Sequence, residues 1–250
     1  MFRPRVIPVL LLKDRALVKS VRFKHHKYLG DAINAVRIFN ELKADELVFL
    51  DIEASRQGRL VSLDFVRGVG EEANMPFSVG GGIRTVEDIR LILAAGAEKV
   101  VINTQAGLNP DFVRIASDAF GSSTIVVCID VKKKLFAGNR AYILGGSSAT
   151  RLTPLEFAAL MEEKGAGEII VQSIDRDGTM DGYDVDLVRS ISDAVGVPVI
   201  ALGGAGTKAH LADCYREGHA NGLGAGSLFV YKDEKRGVLI NYPEKSELSF

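Results

Sequence analysis

The chain has 250 residues, of which 47% are hydrophobic and 25% are charged, and its formal net charge is -1. This length is typical of a single α/β barrel with one large core. The near-zero charge provides no overall electrostatic reason to expect nucleic acid or a membrane surface as a partner. Cys128 and Cys214 lie in apolar stretches without CxxC spacing, which indicates buried reduced thiols rather than a disulfide or a metal site. We expect no metal and no cofactor.

The N-terminal residues lead directly into a strand-like stretch without the apolar region of a signal peptide. No apolar run reaches the roughly 18 residues of a membrane span. The pattern therefore predicts a cytoplasmic enzyme or enzyme subunit.

Short apolar runs rich in β-branched residues recur along the chain, with helical patterns such as 31–42 and 85–95 between them. Continuous rather than alternating hydrophobicity predicts strands covered on both faces, and hence a parallel sheet. Eight such units predict a closed (β/α)8 TIM barrel, with a doubly wound open sheet as the alternative. The candidate strands are 6–12, 46–52, 77–79, 99–102, 124–131, 168–174, 197–202 and 222–228.

The chain also repeats itself at a spacing of about half its length. ELVFLDI at Glu46 matches EIIVQSI at Glu168, and VGGGIRT at Val79 matches LGGAGTK at Leu202. An open sheet does not explain this repeat. It predicts one domain, 1–250, built from half-barrels at roughly 1–122 and 123–250, with a mouth of near two-fold symmetry.

Two glycine-rich turns follow strands at symmetric positions, and each has a small polar partner further along the chain. They are Gly80-Gly81-Gly82 with Asn103-Thr104, and Gly203-Gly204 with Gly226-Ser227. Backbone N–H groups at such turns bind anions. The pair predicts a ligand with a phosphate at each end, and a tight turn without a ligand is the alternative.

Residues 13–30 are too long for an ordinary βα loop, and their charges are almost all positive. A long cationic loop over the mouth would close on phosphates and exclude water, unless it is only a solvated loop. Its basic residues are Lys13, Arg15, Lys19, Arg22, Lys24 and Lys27, against one acid, Asp14.

Carboxylates at strand ends are the candidate acids and bases, and we expect Asp51, Asp130, Asp175 and Asp177 to point into the mouth. Asp130 is the strongest candidate because it follows an apolar strand, whereas Asp177 before Gly178 also suits a turn. The repeat partner of Asp130 is Leu11, which cannot transfer a proton.

Charged residues at the opposite ends of the strands predict a ring at the bottom of the barrel. They alternate in sign and begin alternate strands, which favours ion pairing around the axis. Such a ring is either a stability network or a gate. Its members are Arg5, Glu46, Lys99 and Glu168.

Distinctive motifs extend over nearly the whole chain, among them RVIP at Arg5, FSVGGGIRT at Phe77, VVCIDVK at Val126 and SIDRDGTMDGYD at Ser173. Together they resemble the motifs of the HisF family, the cyclase subunits of imidazole glycerol phosphate synthase. The resemblance implies a barrel that receives ammonia from a glutaminase subunit on its bottom face. It also implies that the mouth cleaves and cyclises a bis-phosphorylated substrate.

By the same resemblance, Asp130 and Lys19 are catalytic residues, and Arg5, Glu46, Lys99 and Glu168 form an ammonia gate. One phosphate is held by Gly81, Gly82, Asn103 and Thr104. The other is held by Asp177, Gly178, Gly203, Gly204, Gly226 and Ser227.

The chain departs from the family at three places. Leu11 stands where the first strand carries a second catalytic aspartate, AGS has an extra glycine, and GVLINYPEKSELSF replaces a long final helix. These features resemble HisF-type paralogues of sugar amidation in surface polysaccharide synthesis. That resemblance implies a glutaminase partner, a phosphorylated ligand and a separate sugar amidotransferase, with no nucleic acid and no membrane.

Three hypotheses follow. The first is a subunit that channels ammonia for glycosyl amidation, and the second is an authentic histidine-pathway cyclase that tolerates Leu11. The third is a scaffold that activates the glutaminase without catalysis. An unrelated phosphate-binding sugar isomerase does not explain the bottom ring.

Overall fold

The computed structural model describes residues 3–134, 138–232, 237–248 and 250. The strands are β1 (Arg5–Lys13), β2 (Ala16–Val21), β3 (Lys24–Gly30), β4 (Leu47–Asp51), β5 (Phe77–Gly80), β6 (Lys99–Ile102), β7 (Ile125–Lys134), β8 (Gly138–Ile143), β9 (Ser148–Ala149), β10 (Glu168–Ser173), β11 (Val199–Leu202) and β12 (Gly222–Ala225). The helices are α1 (Ala32–Glu41), α2 (Leu63–Glu72), α3 (Val86–Ala94), α4 (Thr104–Leu108), α5 (Asp111–Phe120), α6 (Pro154–Glu163), α7 (Val185–Ser192), α8 (Lys208–Gly218) and α9 (Ser227–Val230).

Eight of these strands form a closed parallel barrel, which confirms the predicted TIM barrel. The order is β1, β4, β5, β6, β7, β10, β11 and β12, and β12 returns to β1. The longest parallel pairing in the ring joins β7 to β10, with partners from Glu168 and Val126 to Ser173 and Val131. The two-fold half-barrel repeat stays a prediction.

Two helix predictions agree closely with the structure because their capping residues are local signals. The carboxylate of Asp31 caps α1 by accepting from the backbone N–H of Asn34. Thr85 begins α3 with a capping box that includes Asp88. Polar side chains at these positions satisfy N–H groups that have no partner inside the helix.

The strands are apolar on both faces because each face packs into a separate hydrophobic core. Inside the barrel, a small cluster includes Ile7, Val48 and Ile170, all almost fully buried. A much larger cluster fills the layer between the barrel and the helices. This division explains why the strands read as continuous apolar runs.

The segment predicted as a long loop, 13–30, is instead largely an antiparallel hairpin. β2 pairs with the end of β1, and β3 pairs with β2. A second antiparallel extension, β8 and β9, continues from β7. Both extensions lie beyond the mouth ends of their barrel strands.

The last strand is shorter than predicted. It was expected to run to residue 228, but it ends at Ala225, and Ser227 begins α9. Residues 237–248 then form a tail that is mostly irregular, with one 3-10 turn at Lys245–Glu247. Within the described residues, no helix combines the length and hydrophobicity that a membrane crossing requires.

Tyr242 attaches this tail to the bottom of the barrel. Its hydroxyl donates to the carbonyl of Val6 at 2.9 Å and accepts from the N–H of Asp45 at 3.2 Å. Its ring also contacts Phe229. The hydroxyl therefore joins the start of β1 to the turn before β4.

We expect Tyr242→Phe to lower the free energy of unfolding by about 1–3 kcal/mol, because two partly buried backbone groups lose their partner. Urea denaturation measures this. The matched control is Tyr28→Phe, since Tyr28 is 66% exposed and should change stability by less than about 0.5 kcal/mol. Equal effects of the two substitutions would contradict this role for Tyr242.

Candidate functional site

A cavity of about 140 Å³ opens at the carboxyl ends of the barrel strands, the end that carries active sites in barrel enzymes. Barrel strands, the loops after them and the β2–β3 hairpin all contribute to its walls. The lining side chains include Leu11, Ser20, Phe23, Leu50, Asp51, Thr104, Cys128, Asp130, Gln172 and Asp177.

The first glycine turn forms one wall of this cavity. Gly81 and Gly82 both have positive φ, 143° and 69°. A Cβ on Gly82 would collide with the backbone carbonyl of Arg59. Glycine is therefore required by backbone packing at this position, independently of any ligand.

Asn103 and Thr104 lie on the same wall and are also structural. The side-chain amide of Asn103 donates to the carbonyls of Cys128 at 3.0 Å and Tyr142 at 3.2 Å. The Thr104 hydroxyl accepts from the N–H of Leu144 at 3.2 Å. These bonds fix the end of β6 against β7 and β8, and they hold both side chains at the cavity surface.

The second glycine turn lines a separate small cavity of about 20 Å³, which has room for one water. Gly203 and Gly204 stand opposite Gly226 and Ser227 in it. Within the described residues, the buried Ser227 hydroxyl has no hydrogen-bond partner. A polar group buried in this way is costly unless something binds it.

Lys19 reaches into this second cavity from β2. It is buried, with 6% of its surface exposed, and its Nζ occupies the space that a Cβ on Gly226 would need. The extra glycine of the AGS motif therefore makes room for a buried ammonium group beside the turn.

Asp177 attaches the hairpin across the mouth. Its carboxylate accepts from the Ser20 hydroxyl at 2.8 Å and from the N–H of Phe23 at 3.3 Å. Its carbonyl accepts from the N–H of Arg22 at 2.9 Å. The next residue, Gly178, has no Cβ to collide with the backbone of Ser20. Asp177 thus joins the β10–α7 loop to the hairpin tip.

Asp130 supplies a buried carboxyl group to the cavity. It is 7% exposed, and the Cys128 thiol contacts its Oδ1 at 3.6 Å. Burial raises the pKa of Asp130 to about 7, so both protonation states are populated near neutral pH. Burial also raises the pKa of the Cys128 thiol.

Leu11 places an apolar side chain in the same cavity. It belongs to β1, where its register partners are Leu50 of β4 and Val18 of β2. It borders the second small cavity as well. The cavity is thus lined by Asp130 from β7 and by Leu11 from β1.

Of the other two strand-end carboxylates, Asp51 lies at the mouth as expected and Asp175 does not. Asp51 lines the cavity, but it is ion-paired with Arg59 at 2.6 Å. Asp175 was expected to point into the mouth, and this is wrong. It lies outside the cavity, and its carboxylate accepts from the N–H of Lys133 at 2.8 Å.

The four charged residues at the bottom form a closed cycle of ion pairs. Arg5 pairs with Glu46 and with Glu168, and Lys99 pairs with Glu46 at 3.6 Å and with Glu168 at 3.1 Å. Burial disfavours the charge of Arg5, but the two carboxylates outweigh this effect and raise its pKa. The expected alternation in sign is present.

Their spacing differs from the prediction that they begin alternate strands. Arg5 begins β1 and Glu46 immediately precedes β4, and these two strands are neighbours. Ser78 of β5 joins the cycle by donating to Glu46 at 3.0 Å.

Sequence reasoning missed several residues of the mouth, among them Cys128, Gln172 and Phe23. Cys128 is two positions before Asp130, a spacing that places both side chains on one face of a strand. Gln172 is a buried polar residue in an apolar strand, and its register partner is Asp130. Phe23 had no sequence signal, because the hairpin turn alone directs its ring into the cavity.

Comparisons with known proteins agree with this geometry. A family model described as histidine biosynthesis protein matches residues 5–235. The chain is 47% identical to a Pseudomonas aeruginosa protein named "Putative imidazole glycerol phosphate synthase subunit hisF2", over 99% of both chains. It is 44% identical to the hisF3 protein of Vibrio vulnificus, named in the same way, over 99% of this chain and 95% of that one.

A HisF protein of Leptospira borgpetersenii is 42% identical over 99% of this chain and 98% of its own length. Identity of this level over whole chains, together with the closed barrel, establishes the family. The chain belongs to the histidine biosynthesis protein family and is a HisF-type (β/α)8 barrel.

Proposed function

We propose that this chain is the barrel subunit of a glutamine-dependent complex. It pairs with a HisH-like glutaminase, admits ammonia at its bottom ring and binds a phosphorylated ligand at its mouth. The ammonia serves glycosyl amidation in surface polysaccharide synthesis, together with a separate sugar amidotransferase. The observation that carries the proposal is Leu11, an apolar side chain where the mouth has room for a second proton-transfer group.

The bottom ring supports the pairing with a glutaminase. Arg5, Glu46, Lys99 and Glu168 close the lower end of the apolar barrel interior. Ammonia produced by a partner on this face would enter along the barrel axis once these ion pairs separate. The ring then acts as the gate of a passage whose other end is the cavity at Asp130.

The two glycine turns support a phosphorylated ligand. Gly81 and Gly82 with Asn103 and Thr104 would hold one phosphate in the larger cavity. A second phosphate would lie against Asp177, Gly178, Gly203, Gly204, Gly226 and Ser227. There the unpartnered Ser227 hydroxyl and the Lys19 ammonium are suitable donors. The 20 Å³ volume requires the hairpin to withdraw before an anion enters.

Asp130 remains able to move a proton, because its pKa of about 7 populates both the acid and the base near neutral pH. A reaction that needs transfers at two places would lack its second group. Lys19 can orient a phosphate and balance its charge, but Leu11 contributes neither function. We therefore assign the chain ligand binding and ammonia delivery rather than ring formation.

The alternative is the complete cyclase and lyase reaction of histidine biosynthesis. The specific observation in its favour is that the similar proteins carry the name imidazole glycerol phosphate synthase subunit. Both glycine turns and Asp130 are also retained. In this case Asp130 would perform both proton transfers.

The first test is ammonia-dependent turnover of the histidine-pathway bis-phosphate substrate, followed by product chromatography. We expect the wild type to turn over more slowly than about 1 s⁻¹, because Leu11 supplies no second proton-transfer group. Ordinary enzymes, by comparison, have a median turnover near 10 s⁻¹. Leu11→Asp should raise the rate by about 10²-fold or more. Leu11→Asn is the control, because asparagine is polar and similar in shape to aspartate but transfers no proton. Wild-type turnover near 10 s⁻¹ would favour the histidine cyclase.

The second test concerns the phosphate sites. Inorganic phosphate should raise the melting temperature of the wild type, because a ligand that binds the folded state stabilises it. Ser227→Ala should reduce this increase. Ser192→Ala is the matched control, since Ser192 also has a buried hydroxyl without a partner in the described residues but does not line the mouth. Equal phosphate responses of the two variants would argue against the second site.

The third test locates the partner. Hydrogen exchange of the complex with a HisH-like glutaminase should show protection at the amino ends of β1, β4, β6 and β10. Protection at the glycine turns alone would reject docking on the bottom face. If the glutaminase is activated but its ammonia appears in the bulk solvent, the scaffold hypothesis replaces ammonia channelling.

A further inference from the structure

A cleft of about 520 Å³, separate from the two cavities described above, lies on the outer side of the hairpin tip. Its walls are the hairpin, the end of β7 and the loop after β10. Four basic residues and one acid line it, with apolar side chains between them. The charged residues are Arg22, Lys24, His25, Lys132 and Asp175, and the apolar ones include Val21 and Ile174.

The hairpin turn divides two consecutive side chains between the two cavities. Phe23 lines the mouth cavity, whereas Arg22 lines the cleft. Both have positive φ, 60° and 53°. This conformation suits a two-residue hairpin turn but is strained for residues other than glycine or asparagine. The bonds to Asp177 maintain it, so the separation of the two side chains is built into the fold.

The cations of the cleft lack the compensation that two other basic residues of the segment 13–30 have. Lys13 pairs with Glu53 at 3.0 Å, and Lys27 lies over the ring of Tyr231. By contrast, in the part of the chain that the structure describes, none of the four basic residues of the cleft forms an ion pair.

The one carboxylate of the cleft offsets only part of this positive charge, and it forms no ion pair with these cations among the described residues. Asp175 accepts from the N–H of Lys133, and its carbonyl accepts from Nε of Arg22 at 3.1 Å. The latter bond orients the Arg22 guanidinium along the cleft wall. The formal charges of Arg22, Lys24, Lys132 and Asp175 give the cleft a net charge of about +2.

We propose that this cleft binds the phosphoryl or diphosphate group of a small phosphorylated ligand, at a site separate from the mouth cavity. Like charges held close together are unfavourable until a multivalent anion neutralises them. A diphosphate presents enough oxygens for a guanidinium and two ammonium groups at once. Val21 and Ile174 give an uncharged part of the ligand an apolar contact.

Such a ligand would also bridge the hairpin to the barrel. Lys24 comes from β3, whereas Lys132 comes from β7. An anion between them would hold the hairpin tip, and with it Phe23 and Ser20, over the mouth. Binding in the cleft would therefore favour the closed form of the adjacent cavity.

The test uses inorganic pyrophosphate and the full chain, with calorimetry and amide chemical shifts. Lys24→Gln/Lys132→Gln should weaken pyrophosphate binding by about tenfold or more, since both side chains lack hydrogen-bond partners in the described residues and folding should be unaffected. The matched control is Lys27→Gln/Lys133→Gln, which removes the same charge from the same two strands outside the cleft. It should change the affinity by less than about threefold.

Shifts at residues 22–25 and 132, retained when Ser227→Ala removes the second phosphate site, are expected. Shifts confined to the glycine turns, or equal losses in the two double variants, would overturn the proposal. So would binding of poly-glutamate without binding of pyrophosphate, which would assign the cleft to an acidic protein surface. The mouth is tested separately, by the phosphate responses of the Ser227 and Ser192 variants. A negative result for the cleft is therefore distinguishable from a failure of the proposed function.

Discussion

The continuous pairing of β7 with β10 is the constraint on which the architecture depends, because it closes the sheet into a ring. Once the ring is closed, all eight carboxyl ends meet at one rim and all eight amino ends at the other. Residues remote in sequence therefore become neighbours. Gln172 lies opposite Asp130 in the mouth, and Glu168 meets Arg5 and Lys99 at the bottom.

Asp177 has a comparable role at the mouth. Its hydrogen bonds fix the tip of a hairpin whose turn would otherwise be unfavourable. Fixing the tip places Lys19 beside Gly226, directs Phe23 into the cavity and leaves Arg22 in the outer cleft. A residue expected to bind phosphate is thus also the residue that anchors the hairpin.

Charged groups have different surroundings in three parts of the molecule. At the bottom, each buried carboxylate has two cationic partners, which offsets the cost of burying it. In the outer cleft, cations lie together, and within the part of the chain that the structure describes none of them forms an ion pair. At Asp130 a carboxyl group is buried with no ion pair among the described residues, and its pKa rises instead. We propose a different use for each arrangement: the first closes a passage, the second attracts an anion and the third keeps a proton available.

The sequence by itself determined the barrel and most of the residues at the ends of its strands. The eight apolar runs, the caps at Asp31 and Thr85, and the sign pattern of the bottom ring are local or periodic signals that survive in one dimension. Asp130 was likewise expected in the mouth from its position at a strand end, and it lines the cavity there.

Only the tertiary structure decided how the loops and the tail fold around the ends of the strands. It folded 13–30 into a hairpin, ended the last strand at Ala225, and turned Asp175 away from the mouth. It also placed Cys128 against Asp130 and gathered the basic cleft. The physical reason is that these outcomes depend on contacts between segments far apart in the chain, whereas periodicity and capping report only on neighbours within one or two turns.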